Sequence, residues 1–261
     1  MTATVLPPER SVHVEHCMGT VFSIDVRGAG DPATAVSAVV AWLHHVDRVF
    51  STYRDDSDIS RLRRREITLA RCDPDVAVVL DLCATVRSTT GGWFTPMWDG
   101  AIDPTGLVKG WAVEQASTLL AAHGFPTHCV NGGGDVRVAG GRADPWRIGV
   151  ADPVDRTRTA TTVTLAGGAV ATSGTAERGE HIRDPFTQRP VRSSLLSATV
   201  VGPTLTFADA YATAAFAMGA TSALEWVGAI EGYELLMIDG TGRRHASSGW
   251  PHLAVDPSRP R

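Results

Sequence analysis

Asp209 and Thr213 stand four residues apart in "FADAYATAAFAMG", a stretch otherwise made almost wholly of small and apolar residues. Read as a helix, that spacing puts a carboxylate and a hydroxyl on one face. An acid among Ala208, Ala210, Ala212, Ala214 and Ala215 falls in a buried setting, and a buried carboxylate needs a partner. One candidate partner is an oxygen-loving cation such as Mg²⁺, which takes one or two carboxylates and leaves room for substrate phosphates. The plainer alternative is an acid that caps a helix or pairs with an Arg.

Other segments add polar groups, each with a plain structural reading beside it. In "DPTGLVKGWAVEQA" Lys109 sits at a helix entry between Gly106 and Gly110. A lysine there opposes the helix dipole unless an anion such as a pyrophosphate lies at that end. Otherwise it is an exposed lysine. "NGGGDVRV" reads as strand, glycine turn and strand, in which Gly132, Gly133 and Gly134 permit positive φ or close approach. It matches neither phosphate-loop pattern, GxxxxGK[ST] or GxGxxG. "ATSGTAERGEHIRDPFTQRPV" gathers Thr172, Ser173, Glu177, Arg178, His181, Asp184 and Thr187. Ser173 lacks the GxSxG frame of a nucleophile elbow. His181 is either a general base, titrating near working pH, or a surface hydrogen-bonding group. Trp93, Phe94 and Trp98 in "GGWFTPMWDG" either stack on a flat ring or fill a core.

The elements that must hold these groups alternate irregularly. A hairpin arm covers about Val12 to Val26. Asp31-Pro32 and Asp73-Pro74 signal two helix starts, and a third helix is expected from near Gly110 to Gly124. Strands follow at "THCVN", "DVRVAG", "WRIGVAD", "TATTVTL", "GAVATS" and "SATVVG". The Asp209 helix comes next, then a helix over about Ser222 to Ile230 and a strand at "YELLMID". "LLAAHGFPTHCVNGGGDVRVAG" and "VGAIEGYELLMIDGTGRRHASSG" share an order of helix, Gly, strand, turn, strand, a faint internal duplication. Helices mixed with hairpins predict an α+β fold of antiparallel sheets, in one domain over 1–261 with frayed ends at 1–10 and 255–261.

Composition excludes some classes. The 261 residues are 43% hydrophobic, enough for a sizeable core, and the formal charge of -4 argues against nucleic acid. Cys17, Cys72, Cys83 and Cys129 have no CxxC spacing and read as reduced thiols. No stretch approaches the roughly 20 apolar residues of a membrane span. The first residues lack a signal-peptide pattern, so a cytoplasmic location is expected.

The order of these blocks is more specific than any one of them. "CMGTVFSIDV", "FSTYRDDSDISRLR", "GGWFTP", "DPTGLVKGWAVE", "VNGGGDVRV", "ATSGTAERGEHIRDPFTQRPV" and "FADAYATAAFAMG" together resemble the FAD:protein FMN transferases, the ApbE-type flavin transferases, over about Cys17 to Gly219. The resemblance implies an α+β fold and Mg²⁺-dependent splitting of FAD at its pyrophosphate. FMN passes to a Thr or Ser hydroxyl of an acceptor flavoprotein and AMP leaves. It implies that Met18, Tyr53, Trp93, Phe94, Thr95, Asp103, Lys109 and Ile182 contact FAD. Mg²⁺ would be held by the Gly106 carbonyl, Asp209 and Thr213, and His181 would be the base. The acceptor would carry a short motif with an Asp and the target Thr or Ser. Two other activities fit the same blocks: an FAD pyrophosphatase releasing FMN and AMP, and a non-catalytic FAD carrier. Where many members have an acid three residues before the metal aspartate, this chain has Thr206, and "DPTGLVKG" stands where "DLGGIAKG" is common. Many members are exported lipoproteins; without an export signal the acceptor is expected to be cytosolic or to face the cytosol.

Overall fold

A computed structural model describes residues 9–175 and 182–255. The chain opens with the expected hairpin, β1 (Arg10–Cys17) and β2 (Thr20–Arg27), turned at Met18 and Gly19, both at positive φ. α1 (Ala33–Phe50) starts at the predicted Asp-Pro pair, where Asp31 Oδ1 accepts the Ala33 N–H at 2.9 Å. α2 (Asp58–Arg63) is too short for periodicity to reveal, at less than two turns; Ser57 caps it by accepting the Ser60 N–H. α3 (Pro74–Thr89) starts as expected, with the Asp73 carboxylate on the Asp75 N–H. A two-stranded ribbon, β3 (Met97–Trp98) and β4 (Ala101–Ile102), leads into α4 (Thr105–Ala122).

α4 begins at Thr105, five residues before the expected Gly110. Gly106 and Gly110 weaken helix propensity, but the burial of Leu107, Val108, Trp111 and Ala112 overrides it. Lys109 therefore lies inside the helix, past its first turn.

The remaining strands are β5 (His128–Gly132), β6 (Asp135–Ala139), β7 (Trp146–Ala151), β8 (Thr159–Leu165), β9 (Gly168–Gly174) and β10 (Leu195–Gly202). Then come α5 (Leu205–Met218), α6 (Ala220–Val227), β11 (Glu234–Asp239), β12 (Arg244–Ala246), α7 (Trp250–Leu253) and β13 (Ala254–Val255). The main sheet runs β1-β2-β5-β6-β9-β10-β11-β12, and a small sheet runs β13-β8-β7. Every strand pairing described is antiparallel. The two similar sequence segments both fold as a helix followed by a hairpin of the main sheet, β5–β6 and β11–β12.

Strand alternation builds two apolar layers. Phe22, Ile24, Val130, Ala171, Val200 and Met237 face the helices, where α5 is buried on nearly every side. Val136, Val138, Val170, Val201 and Ile238 face the small sheet, meeting Trp146, Ile148, Val150 and Val163. All four cysteines are free thiols, and burial pushes Cys17 up to about 11 and Cys83 and Cys129 up to about 12.

One buried polar pair makes stability depend on pH. The Phe125 carbonyl can only accept, so His128 carries its proton on Nδ1 (2.7 Å), and Nε2 accepts from the Ser117 hydroxyl at 2.7 Å. Burial holds the His128 pKa below its ordinary value. The unfolded chain therefore binds the proton more readily. The stabilisation is full above the ordinary value of about 6.5 and is lost as pH falls from there towards the folded value. Urea midpoints should fall between about pH 7.5 and 5.5, and fall less in His128→Gln. Equal pH dependence in both proteins would remove His128 as the cause.

Candidate active site

Four elements converge on one cavity of about 810 Å³. α4 and α5 pack so closely that a Cβ on Gly110 would stand 2.6 Å from the Leu205 carbonyl and 2.8 Å from Asp209 Cβ. That approach lets the Gly110 N–H donate to Asp209 Oδ2 at 3.0 Å. Lys109 Nζ donates to the same oxygen at 3.1 Å and also pairs with Asp135 Oδ2. The second Asp135 oxygen accepts the Thr172 N–H at 2.9 Å. One turn along α5, Thr213 Oγ1 lies 3.0 Å from Ser173 Oγ.

A second brace joins the same elements. Glu114 on α4 accepts the Leu205 N–H, at the start of α5, at 2.6 Å and the Arg137 Nε–H from β6 at 2.9 Å. Thr204 makes no side-chain cap there, so a carboxylate from a neighbouring helix supplies one. Glu114 thereby fixes the axial position of α5, and with it Asp209 and Thr213.

The charge balance tests the metal reading. Asp135 and Asp209 are both buried, with relative exposures of 4% and 7%, and they share one ammonium. Counted formally, two carboxylates and one ammonium leave one negative charge, flanked by the Thr213 and Ser173 hydroxyls. An all-oxygen donor set with surplus negative charge is what a hard divalent cation takes. The plainer reading also holds in part, since Asp209 does pair with a cation of the chain, Lys109. His45 on α1 also lies within metal-ligand reach of Asp73 and Asp75 at the start of α3, but this half-buried trio is outside the cavity.

The sequence-predicted residues divide plainly. Tyr53, Trp93, Phe94, Thr95, Asp103, Gly106, Lys109, Ile182, Asp209 and Thr213 all line the cavity. Tyr53 is almost fully exposed at its rim, whereas Phe94 and Ile182 are buried. Trp93 packs edge-on against Phe186. Asp103 Oδ1 accepts from the Thr105 N–H and hydroxyl, fixing the start of α4. Met18 is not among the lining residues and packs partly buried against the helix-side core. Thr206 is buried and likewise not among them. His181 lies outside the described residues. Asp135 was missed: an acid after a glycine turn reads as an ordinary hairpin residue. Gly133 hints at its setting, since a Cβ there would stand 2.6 Å from Thr20 Oγ1, so the turn is packed tightly.

This fold is that of a known class. The ApbE family model matches residues 18–101 and 98–237, and the chain belongs to that family. An FAD:protein FMN transferase of Vibrio cholerae is 26% identical over 81% of this chain and 83% of its own length. One from Rhodobacter capsulatus is 31% identical over 72% of this chain but only 34% of its own length. One from Escherichia coli is 30% identical over 54% of this chain and 43% of its own. The flavin transferase ApbE structure from Vibrio cholerae superposes with a TM-score of 0.82 at 23% identity, covering 95% of this chain and all (100%) of that one. The ApbE protein of Thermotoga maritima gives 0.81 at 23% identity, with the same coverage. These structures confirm the α+β arrangement of helices and antiparallel sheets. No described helix is long and apolar enough to cross a membrane.

Proposed function

We propose that this protein transfers FMN from FAD to a Thr or Ser hydroxyl of an acceptor flavoprotein, releasing AMP, with Mg²⁺ at Asp209, Thr213 and the Gly106 carbonyl. The observation that carries this reading is the shared cavity. In a chain of the ApbE family, a surplus-negative oxygen cluster and an aromatic wall face the same space. When bound, Mg²⁺ would neutralise charge on the pyrophosphate and on departing AMP. Lys109 adds a fixed positive charge beside the phosphates, and Asp135 and Asp209 hold its ammonium in place. Trp93 and Phe94 offer ring faces and apolar surface to the flavin nucleotide. Phosphoryl transfer needs positioning and charge neutralisation more than covalent help, which is what these groups supply.

His181 takes the proton of the incoming hydroxyl. His181→Ala should lose transfer by roughly 10²–10⁴-fold, the range of a general base, with FAD affinity kept. Transfer unchanged across the pH range would remove it from the mechanism. The pyrophosphatase alternative predicts free FMN with AMP and no mass gain on a protein, and the carrier alternative predicts bound FAD and no AMP. Cytoplasmic acceptors are part of this proposal, tested by fractionating cells and locating the flavinylated protein.

A further inference from the structure

The cavity has two walls of different kinds. One holds Trp93, Phe94, Lys109 and Ile182, the flavin-nucleotide wall of the reading above. The other is β7, whose residues Ile148, Gly149, Val150 and Ala151 line the cavity in succession. Ile148 and Val150 are buried, while Gly149 and Ala151 are exposed, so the two pairs face opposite sides of the small sheet. A cavity lying against one face would meet one pair only. A cavity that meets all four runs along the edge of the strand. β8 pairs with one edge of β7, and among the described residues no strand pairs with the other. On the main sheet, Ser197 borders the same cavity, and its buried hydroxyl has no hydrogen-bond partner among the described residues.

We propose that the acceptor polypeptide lies along this free edge of β7 as an added strand, with its target hydroxyl turned towards the Asp209–Thr213 corner. This rests on the transferase reading. Such a reaction has two substrates, and the second must bring a hydroxyl into the cavity that holds the pyrophosphate. The flavin-nucleotide wall is already occupied in that reading, and the β7 wall carries none of the residues assigned to FAD. An open strand edge presents N–H and C=O groups in a row, which suits a polypeptide more than a compact ligand.

The test uses the wild-type protein with Mg²⁺ and two synthetic peptides carrying the Asp- and Thr-containing acceptor motif. One keeps the target Thr; the other has Val in its place and cannot react. With FAD bound, the Val peptide should slow hydrogen exchange at alternate amides of 147–151 by at least about tenfold, and FAD alone should not. N-methylation of the Thr peptide at alternate positions beside the target should raise its KM at least about tenfold, leaving the intervening positions near wild type. Full protection of β7 by FAD alone would assign this wall to FAD and overturn the proposal. So would flavinylation of the Thr peptide with no protection by its Val form. AMP release with no flavin on the Thr peptide would instead overturn the transferase reading, and the docking surface with it.

Discussion

Asp209→Asn is expected to lower transfer by about 10²-fold or more and to remove its dependence on Mg²⁺, while the protein stays folded. The substitution keeps the shape and leaves an oxygen for the Gly110 N–H, which now lies 3.0 Å from Asp209 Oδ2. It deletes one charge from the cluster. Lys109 keeps Asp135 as its partner, so no ammonium is stranded, and the stability cost should be about 1–3 kcal/mol. The cation loses its surplus carboxylate and the pyrophosphate loses its counter-charge. Transfer rate and Mg²⁺ titration on folded protein check this. Wild-type turnover with wild-type Mg²⁺ dependence would contradict the assignment of Asp209.

Gly110→Ala should impair the site without touching any reacting group. In an exposed helix the change would gain about 1 kcal/mol from helix propensity. Here the new Cβ would stand 2.6 Å from the Leu205 carbonyl, a backbone atom that cannot swing away, and 2.8 Å from Asp209 Cβ. Overpacking of this kind costs about 1–3 kcal/mol, so the clash outweighs the propensity gain. α4 and α5 must part, carrying Lys109 away from Asp209. A shift near 1 Å at such a site costs about 10²-fold in rate. The expected result is a thermal midpoint lower by several degrees and a transfer rate lower by about two orders of magnitude, with FAD affinity less affected. A higher midpoint with unchanged transfer would show that the helices do not need this contact.

Much of this architecture was legible where a local physical signal existed. Asp31-Pro32 and Asp73-Pro74 marked two helix starts because a carboxylate satisfies free N–H groups and Pro needs none. The i,i+4 pair Asp209–Thr213 was legible because helix periodicity alone puts both on one face, and both line the cavity. The start of α4 was misplaced because two glycines argued against helix, whereas burial of Leu107, Val108 and Trp111 decides it. Asp135 and Glu114 were not legible as site residues. Asp135 meets Lys109 across 26 positions and Glu114 meets Leu205 across 91, and no local pattern encodes either pairing. The role of β7 was hidden for the same reason, since "WRIGVAD" reads as any half-buried strand until the sheet order leaves its edge free.

The most direct test of the central claim follows AMP and acceptor mass together. The protein is incubated with FAD, Mg²⁺ and the Thr-containing acceptor peptide. One AMP should be released for each FMN-sized mass gained by the peptide, and both should be lost on adding EDTA. AMP and free FMN in equal amounts, with the peptide mass unchanged, would contradict the claim and make the protein an FAD pyrophosphatase.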